Sequence, residues 1–272
     1  MKKKIWPIWL TAIIITLTAA IYQRKTGPTY PKEYTFSVND QEYSVKLDRA
    51  HITTKDAVIE LPVSGTTVSA SLYYRIYPSN DEFTCIDFQQ ENEVLRVTLP
   101  SRPPAGKLEY YIEMKPDGQF IALAKDSPVI TRFRNDVPAY ILIPHVLFMF
   151  FSMLFSSFTG LLVLFKSGNY KRYMNITIVL LFVGGLILGP FVQKHAFGEF
   201  WTGFPFGFDL TDNKTLIAFI FWMAAWFLNL RKNRPVWVAT AAVMMILIFS
   251  IPHSTWGSQL DNTTGEISTG KQ

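Results

Sequence analysis

The sequence has few of the residues that commonly build cofactor and redox sites. Its 272 residues include four histidines and one cysteine, Cys85, so an intramolecular disulfide is impossible. The chain also lacks a CxxCH haem-attachment motif, a pair of CxxC motifs for zinc, a phosphate-binding P-loop and a glycine-rich dinucleotide motif. These absences exclude covalently attached haem and cysteine-ligated zinc, and we expect no nucleotide partner.

Charged residues are absent from the long apolar runs of the chain. The formal net charge is +5 and the sequence pI is about 9.1. Because the basic residues lie mostly at the ends of apolar runs and form no amphipathic stripe, we expect no nucleic-acid partner. Since no run contains Asp, Glu, Lys or Arg, a proton relay or ion pathway is disfavoured, which argues against a pump or transporter.

Long apolar runs are present, and they predict a membrane protein. The chain is 49% hydrophobic with a mean hydropathy of +0.17, which indicates a composite of membrane and water-exposed parts. Runs of about the length that crosses a bilayer predict five transmembrane helices, the last two of them short. They are Ile5–Tyr22, Ala139–Phe165, Met174–Val192, Leu216–Leu230 and Val236–Ile251. We expect residues 1–22 to remain as an uncleaved N-terminal anchor.

Basic residues in the short connections predict the orientation of these helices. If the chain crosses five times, all three basic clusters fall on one side, which is the inside by the positive-inside rule. The N-terminus is then inside and the C-terminus outside, as in a multi-pass protein of a bacterial inner (cytoplasmic) membrane. The clusters are Lys2 to Lys4; Lys166, Lys171 and Arg172; and Arg231, Lys232 and Arg234.

The segment between the first two runs alternates polar and apolar residues, which predicts short antiparallel strands. After a linker at 23–32, residues 33–136 are expected to form an all-β extracytoplasmic sandwich. Its architecture resembles an immunoglobulin or fibronectin type III module, and the absence of a cysteine pair favours the fibronectin-like form. Residues 137–254 are expected to form an all-α four-helix transmembrane bundle, and residues 255–272 a polar extracytoplasmic tail.

The predicted sandwich contains two tyrosine pairs and one histidine that could lie on its surface. Tyr73 with Tyr74, and Tyr110 with Tyr111, are adjacent pairs on predicted strands, so one ring of each pair should face the core and the other the outside. The outer rings are candidates for a contact surface. His51 lies among charged residues in a predicted connection, which indicates a solvated surface histidine.

The connection at 193–215 has an unusual composition for a loop. It combines aromatic rings and glycines with three carboxylates. Because charges beside lipid-facing rings are unfavourable unless paired, we expect this outer loop to fold over the mouth of the bundle as a lid or partner contact. The alternative is that its rings dip into the headgroup layer. The residues assigned to the lid or contact are Glu199, Trp201, Phe204, Phe206, Phe208 and Lys214.

Three histidines, His145, His195 and His253, flank the ends of spans at one predicted outer depth. Together with Asp209 or Asp212 they match the ligands of a divalent transition metal such as zinc, manganese, iron or copper. His145 and His253 would be the pair for haem b, which we rank lower. The structural alternatives are interfacial histidines that never meet, and helix capping by the two aspartates.

The sequence reveals no reaction, so whether the chain is an enzyme stays open. The first hypothesis is a non-catalytic accessory or docking subunit that acts outside the membrane, with the bilayer and a periplasmic or membrane protein as partners. The second is a metal- or haem-binding membrane protein, such as a metal-dependent hydrolase or an electron carrier. In the second hypothesis one carboxylate acts as a general base or orients a ligand.

Overall fold

The computed structural model of the chain describes residues 5–63, 68–116, 119–253 and 257–268. Over these residues it has mixed helix and sheet content and divides into a helical unit and a β-rich unit. The helical unit draws on Met1–Pro28 and Val137–Ser258, and the β-rich unit on Thr29–Asp136 and Gln259–Ser268.

The helical unit follows the apolar runs of the sequence. A π-helical segment, Phe182–Leu188, joins the third helix to the fourth, so that Tyr170–Phe197 is one continuous helix. The helices are α1 (Trp6–Thr26), α2 (Ala139–Leu164), α3 (Tyr170–Leu181), α4 (Gly189–Phe197), α5 (Leu210–Asn229) and α6 (Pro235–Ser250).

Three helices in the described part of the chain are long and apolar enough to cross a membrane: Trp6–Thr26, Ala139–Leu164 and Tyr170–Phe197. Helix α6 is apolar but shorter, and α5 opens with a polar turn before its apolar part begins at Leu216. The chain therefore carries the helices of a membrane protein, while the count of five crossings stays a prediction.

Aromatic side chains hold the helices of this unit together. Trp9 of α1 stacks on Phe158 of α2, with ring centroids 3.8 Å apart. Trp222 of α5 is fully buried, and its Nε1 donates a hydrogen bond to Sδ of Met245 in α6 at 3.2 Å. Other apolar side chains of the helices are exposed, such as Phe227 at 69% and Val236 at 72%. Such an outer surface suits lipid better than water.

The β-rich unit consists of short strands with alternating burial, as the sequence pattern predicts. The pattern runs buried, exposed, buried along Ala57–Leu61, for example. The strands are β1 (Lys32–Val38), β2 (Gln41–Leu47), β3 (Ala50–Ile52), β4 (Ala57–Leu61), β5 (Val68–Ile76), β6 (Thr84–Asp87), β7 (Gln89–Glu91), β8 (Val94–Leu99), β9 (Lys107–Pro116), β10 (Ile121–Leu123), β11 (Val129–Arg134), β12 (Gln259–Leu260) and β13 (Ile267–Ser268).

These strands form separate sheets that share one hydrophobic core. Among the described residues the largest sheet has the order β3-β11-β9-β5-β6, and β10 also pairs with β9. Strands β4, β8 and β7 form a second sheet, and β1 with β2 form a hairpin. Leu47, Leu61, Leu72 and Phe133, from all three, lie in the same buried cluster. The structure thus establishes a β-rich unit, and its likeness to an immunoglobulin or fibronectin module stays a prediction.

The tyrosine pairs face as the alternation predicts. Tyr110 is fully buried and Tyr74 packs against the core. Tyr73 and Tyr111 pair across β5 and β9 and stack with centroids 4.9 Å apart and rings 5° from parallel. The outer face of this sheet therefore carries an aromatic pair that the core does not use.

The segment after the helical unit returns to the β-rich unit. Strands β12 and β13 pair with each other, the N–H of Leu260 donates to the carbonyl of Ala105, and Nζ of Lys107 donates to Oε1 of Gln259 at 3.1 Å. The composition of this segment predicts only a polar tail, because two-residue strands leave no periodicity to detect.

Candidate functional site

The outer loop begins where α4 ends and is closed by the first turn of α5. Asp209 caps α5, since its Oδ1 accepts a hydrogen bond from the N–H of Thr211 at 2.8 Å. Helix capping is the role that the sequence predicts for Asp209 as the alternative to metal binding. The same side chain is buried, with 5% of its surface exposed, so both of its oxygens need hydrogen-bond partners. Capping accounts for the partner of Oδ1 only.

Asp212 ties the middle of the loop to α5. Its Oδ2 accepts hydrogen bonds from the N–H of Thr202 at 2.7 Å, the N–H of Gly203 at 3.1 Å and the Thr202 hydroxyl at 3.3 Å. A β-carbon at Gly203 would lie 2.6 Å from Cβ of Asp212, so this approach requires glycine. The loop backbone is thus held directly against the first turn of the helix.

A second set of hydrogen bonds extends the network to Ser258. The other oxygen of Asp209, Oδ2, accepts from the N–H and the hydroxyl of Ser258 at 2.8 and 2.9 Å. The Ser258 hydroxyl lies 3.1 Å from the Thr202 hydroxyl, which also accepts from Nε2 of Gln193 at 2.5 Å. Buried and hydrogen-bonded polar groups of this kind fix a single loop conformation.

Burial shifts the pKa values of two charged groups at this site, Asp212 and Lys214. It raises the pKa of Asp212 to about 6; hydrogen bonds from Thr202 oppose the shift and the charge of Asp209 adds to it. Burial also lowers the pKa of Lys214 to about 8, although the charge of Asp209 opposes this. Nζ of Lys214 donates to the carbonyl of Ile251 at 2.8 Å. Both groups precede the apolar part of α5, and both have structural partners.

Most of the aromatic rings of the loop are exposed, whereas its two aspartates are buried. Trp201 is half-buried, and its Nε1 donates to the carbonyl of Phe204 at 3.0 Å. Glu199 is exposed, unlike the two aspartates. Four phenylalanines are also largely exposed: Phe200 at 49%, Phe204 at 65%, Phe206 at 78% and Phe208 at 60%.

The three candidate histidines occupy different elements. His145 lies in the first turns of α2, and its Nδ1 is 2.9 Å from the carbonyl oxygen of Gly184 in the π-helical segment. His195 is half-buried in the last turn of α4. His253 follows α6 and interacts electrostatically with Lys214 and His145.

Within residues 5–63, 68–116, 119–253 and 257–268, no three His, Cys, Asp or Glu side chains are grouped so that they could hold a metal ion. His145 interacts electrostatically with His253, and Asp209 with Asp212. The two pairs do not form a single set of metal ligands in the described part of the chain. The aspartate oxygens are already engaged by backbone and hydroxyl donors. The metal hypothesis stays a prediction.

The β-rich unit contains a groove that sequence reasoning did not find. It has a volume of about 380 Å³ and lies between β2 and β4. Among the described residues, β2 pairs only with β1 and β4 pairs only with β8. Each strand therefore presents an open edge, and such an edge offers unpaired N–H and C=O groups.

The groove has an apolar floor and polar walls. Its floor includes the buried residues Val45, Leu47 and Ile59, which belong to the core. Its walls include Lys46 and Glu60, which are exposed. Val58 also lines the groove and is 49% exposed, which is unusual for an apolar side chain beside a core.

His51 lines the same groove. It is half-buried rather than solvated, and its Nε2 is buried without a hydrogen-bond partner in the described structure. Burial lowers the pKa of His51, although the neighbouring charge of Asp48 opposes the shift. A neutral ring with a buried unpaired nitrogen is suited to hydrogen-bond an incoming backbone group.

No protein-family model matches the chain, and no curated protein matches it at a significant level.

Proposed function

We propose that the chain is an integral protein of a bacterial inner membrane that acts as a non-catalytic docking subunit. Its β-rich unit holds an extended segment of a periplasmic or membrane partner in the groove between β2 and β4. The observation that carries this proposal is the pair of open strand edges that border one groove. Addition of a strand to an exposed edge is a common mode of peptide recognition.

The groove chemistry defines the partner segment. An extended segment points alternate side chains to opposite sides, so one set would contact the apolar floor at Val45 and Leu47 and the other would face outward. Lys46 and Glu60 on the walls carry opposite charges, which does not favour a nucleic acid. An extended peptide with an apolar residue at every second position fits both walls and floor.

The proposed side of the membrane follows from the short connections. If all five apolar helices cross, the connections between α2 and α3 and between α5 and α6 lie inside with their basic residues. Lys2 to Lys4, the remaining basic cluster, lie outside the described residues. The β-rich unit, which we propose to be a sandwich-type binding module, and the outer loop are then extracytoplasmic.

A photo-crosslinking amino acid placed in the groove tests the docking proposal. We expect a crosslinker that replaces Lys46 and one that replaces Val58, on the two walls of the groove, to attach to the same partner protein in native membranes. Peptide mapping should locate the crosslinks at adjacent positions of one extended partner segment, because one strand contacts both walls.

The cross-strand neighbours of these positions provide matched controls. Glu33 faces Lys46 across the β1–β2 ladder and Thr98 faces Val58 across the β4–β8 ladder, and both are exposed. They should give no such adduct. Equal labelling from controls and groove positions, or different adducts from the two walls, contradicts docking in the groove.

A second candidate function is metal or haem binding at the outer ends of the helices. It is favoured by the contact between Nδ1 of His145 and the Gly184 carbonyl. An Nδ1 that donates to a carbonyl leaves the Nε2 lone pair available to a metal, and His253 lies within electrostatic range.

Metal analysis and visible absorption of the purified protein test this candidate. A stoichiometric metal, or a Soret band, that is lost on His145→Ala and His253→Ala replacement supports it. Wild-type protein that takes up no zinc, copper, iron or haem on reconstitution removes it.

A further inference from the structure

The outer loop buries two of its carboxylates and exposes most of its phenylalanine rings. Asp209 and Asp212 are buried and hydrogen-bonded, whereas Phe200, Phe204 and Phe206 are largely exposed. The cost of placing charges beside lipid is therefore reduced for the aspartates, because their side chains are buried and accept hydrogen bonds. Exposed apolar groups concentrated on one loop mark a contact surface.

The helices that carry the loop fix its depth in a membrane. The apolar run Met174–Val192 of the helix Tyr170–Phe197, at about 1.5 Å per residue, is roughly 28 Å long. This matches a hydrocarbon core of about 30 Å. The last turns of α4 and the loop that follows therefore emerge at the headgroup layer.

The rings are continuous with the apolar surface of α4. Phe200 packs edge-on against Phe191 of α4, with centroids 5.7 Å apart, and Phe191 itself is 46% exposed. Nζ of Lys194 lies 5.2 Å above the Phe200 ring and donates to the carbonyl of Gly198. A lysine beside aromatic rings is the usual composition of a membrane–water boundary.

We infer that the outer loop is an interfacial anchor whose phenylalanine rings enter the headgroup layer of the membrane that the chain crosses. The occupant of this surface is lipid, since the rings extend the apolar face of a membrane helix at the depth where that helix leaves the hydrocarbon. The polar network beneath the rings holds them in place. This inference is independent of the groove in the β-rich unit.

Spin-label accessibility in lipid nanodiscs tests the anchor. The exposed Cys85 is first replaced by serine, so that Phe206→Cys provides one labelling site. In nanodiscs of phosphatidylcholine and phosphatidylglycerol, we expect the label at 206 to collide more often with oxygen, which concentrates in lipid, than with a water-soluble nickel chelate. The oxygen-to-nickel ratio should exceed that of a label at Glu199 several-fold.

Labels at two further positions calibrate the measurement. Ile220, in the apolar part of α5 and 55% exposed, gives the value for lipid, and Lys46 in the β-rich unit gives the value for water. A label at 206 that matches Lys46 contradicts the anchor. A label at 206 that neither reagent reaches shows that protein covers the rings, which also overturns the proposal.

Discussion

Replacing Asp212 by alanine is expected to lower the free energy of opening the outer loop by about 3 kcal/mol. The change leaves the N–H groups of Thr202 and Gly203, which donate to Asp212 Oδ2 at 2.7 and 3.1 Å, without their acceptor. Each buried group left unpaired costs about 1–3 kcal/mol. Hydrogen exchange of these two amides should accelerate by about a hundredfold, since about 1.4 kcal/mol is a factor of ten.

The variant Asp212→Asn is the matched control. An asparagine keeps one carbonyl oxygen at the position of Oδ2, so it can accept the same backbone hydrogen bonds. We expect its amides at 202 and 203 to exchange less than about tenfold faster than in the wild type. Exchange that is equally fast in the alanine and asparagine variants, or unchanged in the alanine variant, refutes the role assigned to Asp212.

Replacing Gly185 by alanine is expected to destabilise the helical unit by about 1–3 kcal/mol, the usual cost of overpacking. A β-carbon at this position of the π-helical segment would lie 2.5 Å from Cγ2 of Thr215 in α5. The helices must separate or distort to relieve the contact. Thermal unfolding in detergent, followed by circular dichroism, should show a midpoint several degrees lower.

Two further variants make the Gly185 prediction specific. At Gly189, on the same continuous helix, the nearest atom to an added β-carbon is 3.6 Å away, so Gly189→Ala should leave the midpoint unchanged. Thr215→Ser removes Cγ2 and should restore much of the stability lost in Gly185→Ala. Equal losses at both glycines, or no rescue by serine, contradict close packing of α5 at Gly185.

The features that can be predicted from the sequence are those that produce a regular pattern of apolar and polar residues over a short segment. Apolar runs locate α1, α2 and the helix Tyr170–Phe197. Alternation locates the strands and predicts that one ring of each tyrosine pair faces the core, as Tyr110 does. Each depends on residues a few positions apart, which hydropathy and alternation record directly.

The features that sequence reasoning missed depend on pairing between distant residues. Nothing in the segments 41–47 and 57–61 indicates that β2 and β4 will leave their facing edges unpaired, because both alternate as ordinary strands do. The burial of His51 Nε2 depends on the same arrangement. The π-helical segment also has no sequence period that distinguishes it from an α-helix.

The outer loop shows that composition alone does not assign the side chains of a loop to its buried or its exposed side. The sequence places Asp209 and Asp212 among aromatic rings, and this crowding predicts a loop that folds over the mouth of the bundle, which stays a prediction. In the structure the aspartates accept hydrogen bonds from Thr202, Gly203 and Ser258, whereas four phenylalanine rings of the loop are largely exposed. The side chains of a loop can be assigned to opposite sides only once its hydrogen-bond partners are known.

Hydrogen exchange of β2 and β4 in native membranes, compared with the purified chain, tests the docking function most directly. A strand seated in the groove would pair with the free edge of β2, of β4 or of both, so amides near Lys46 or Val58 should become more protected in the membranes. The amides of β6 and β10, which contribute no residue to the lining of the groove, should exchange at the same rate in both samples. Unchanged exchange at β2 and β4 would contradict the proposal that the groove holds a partner.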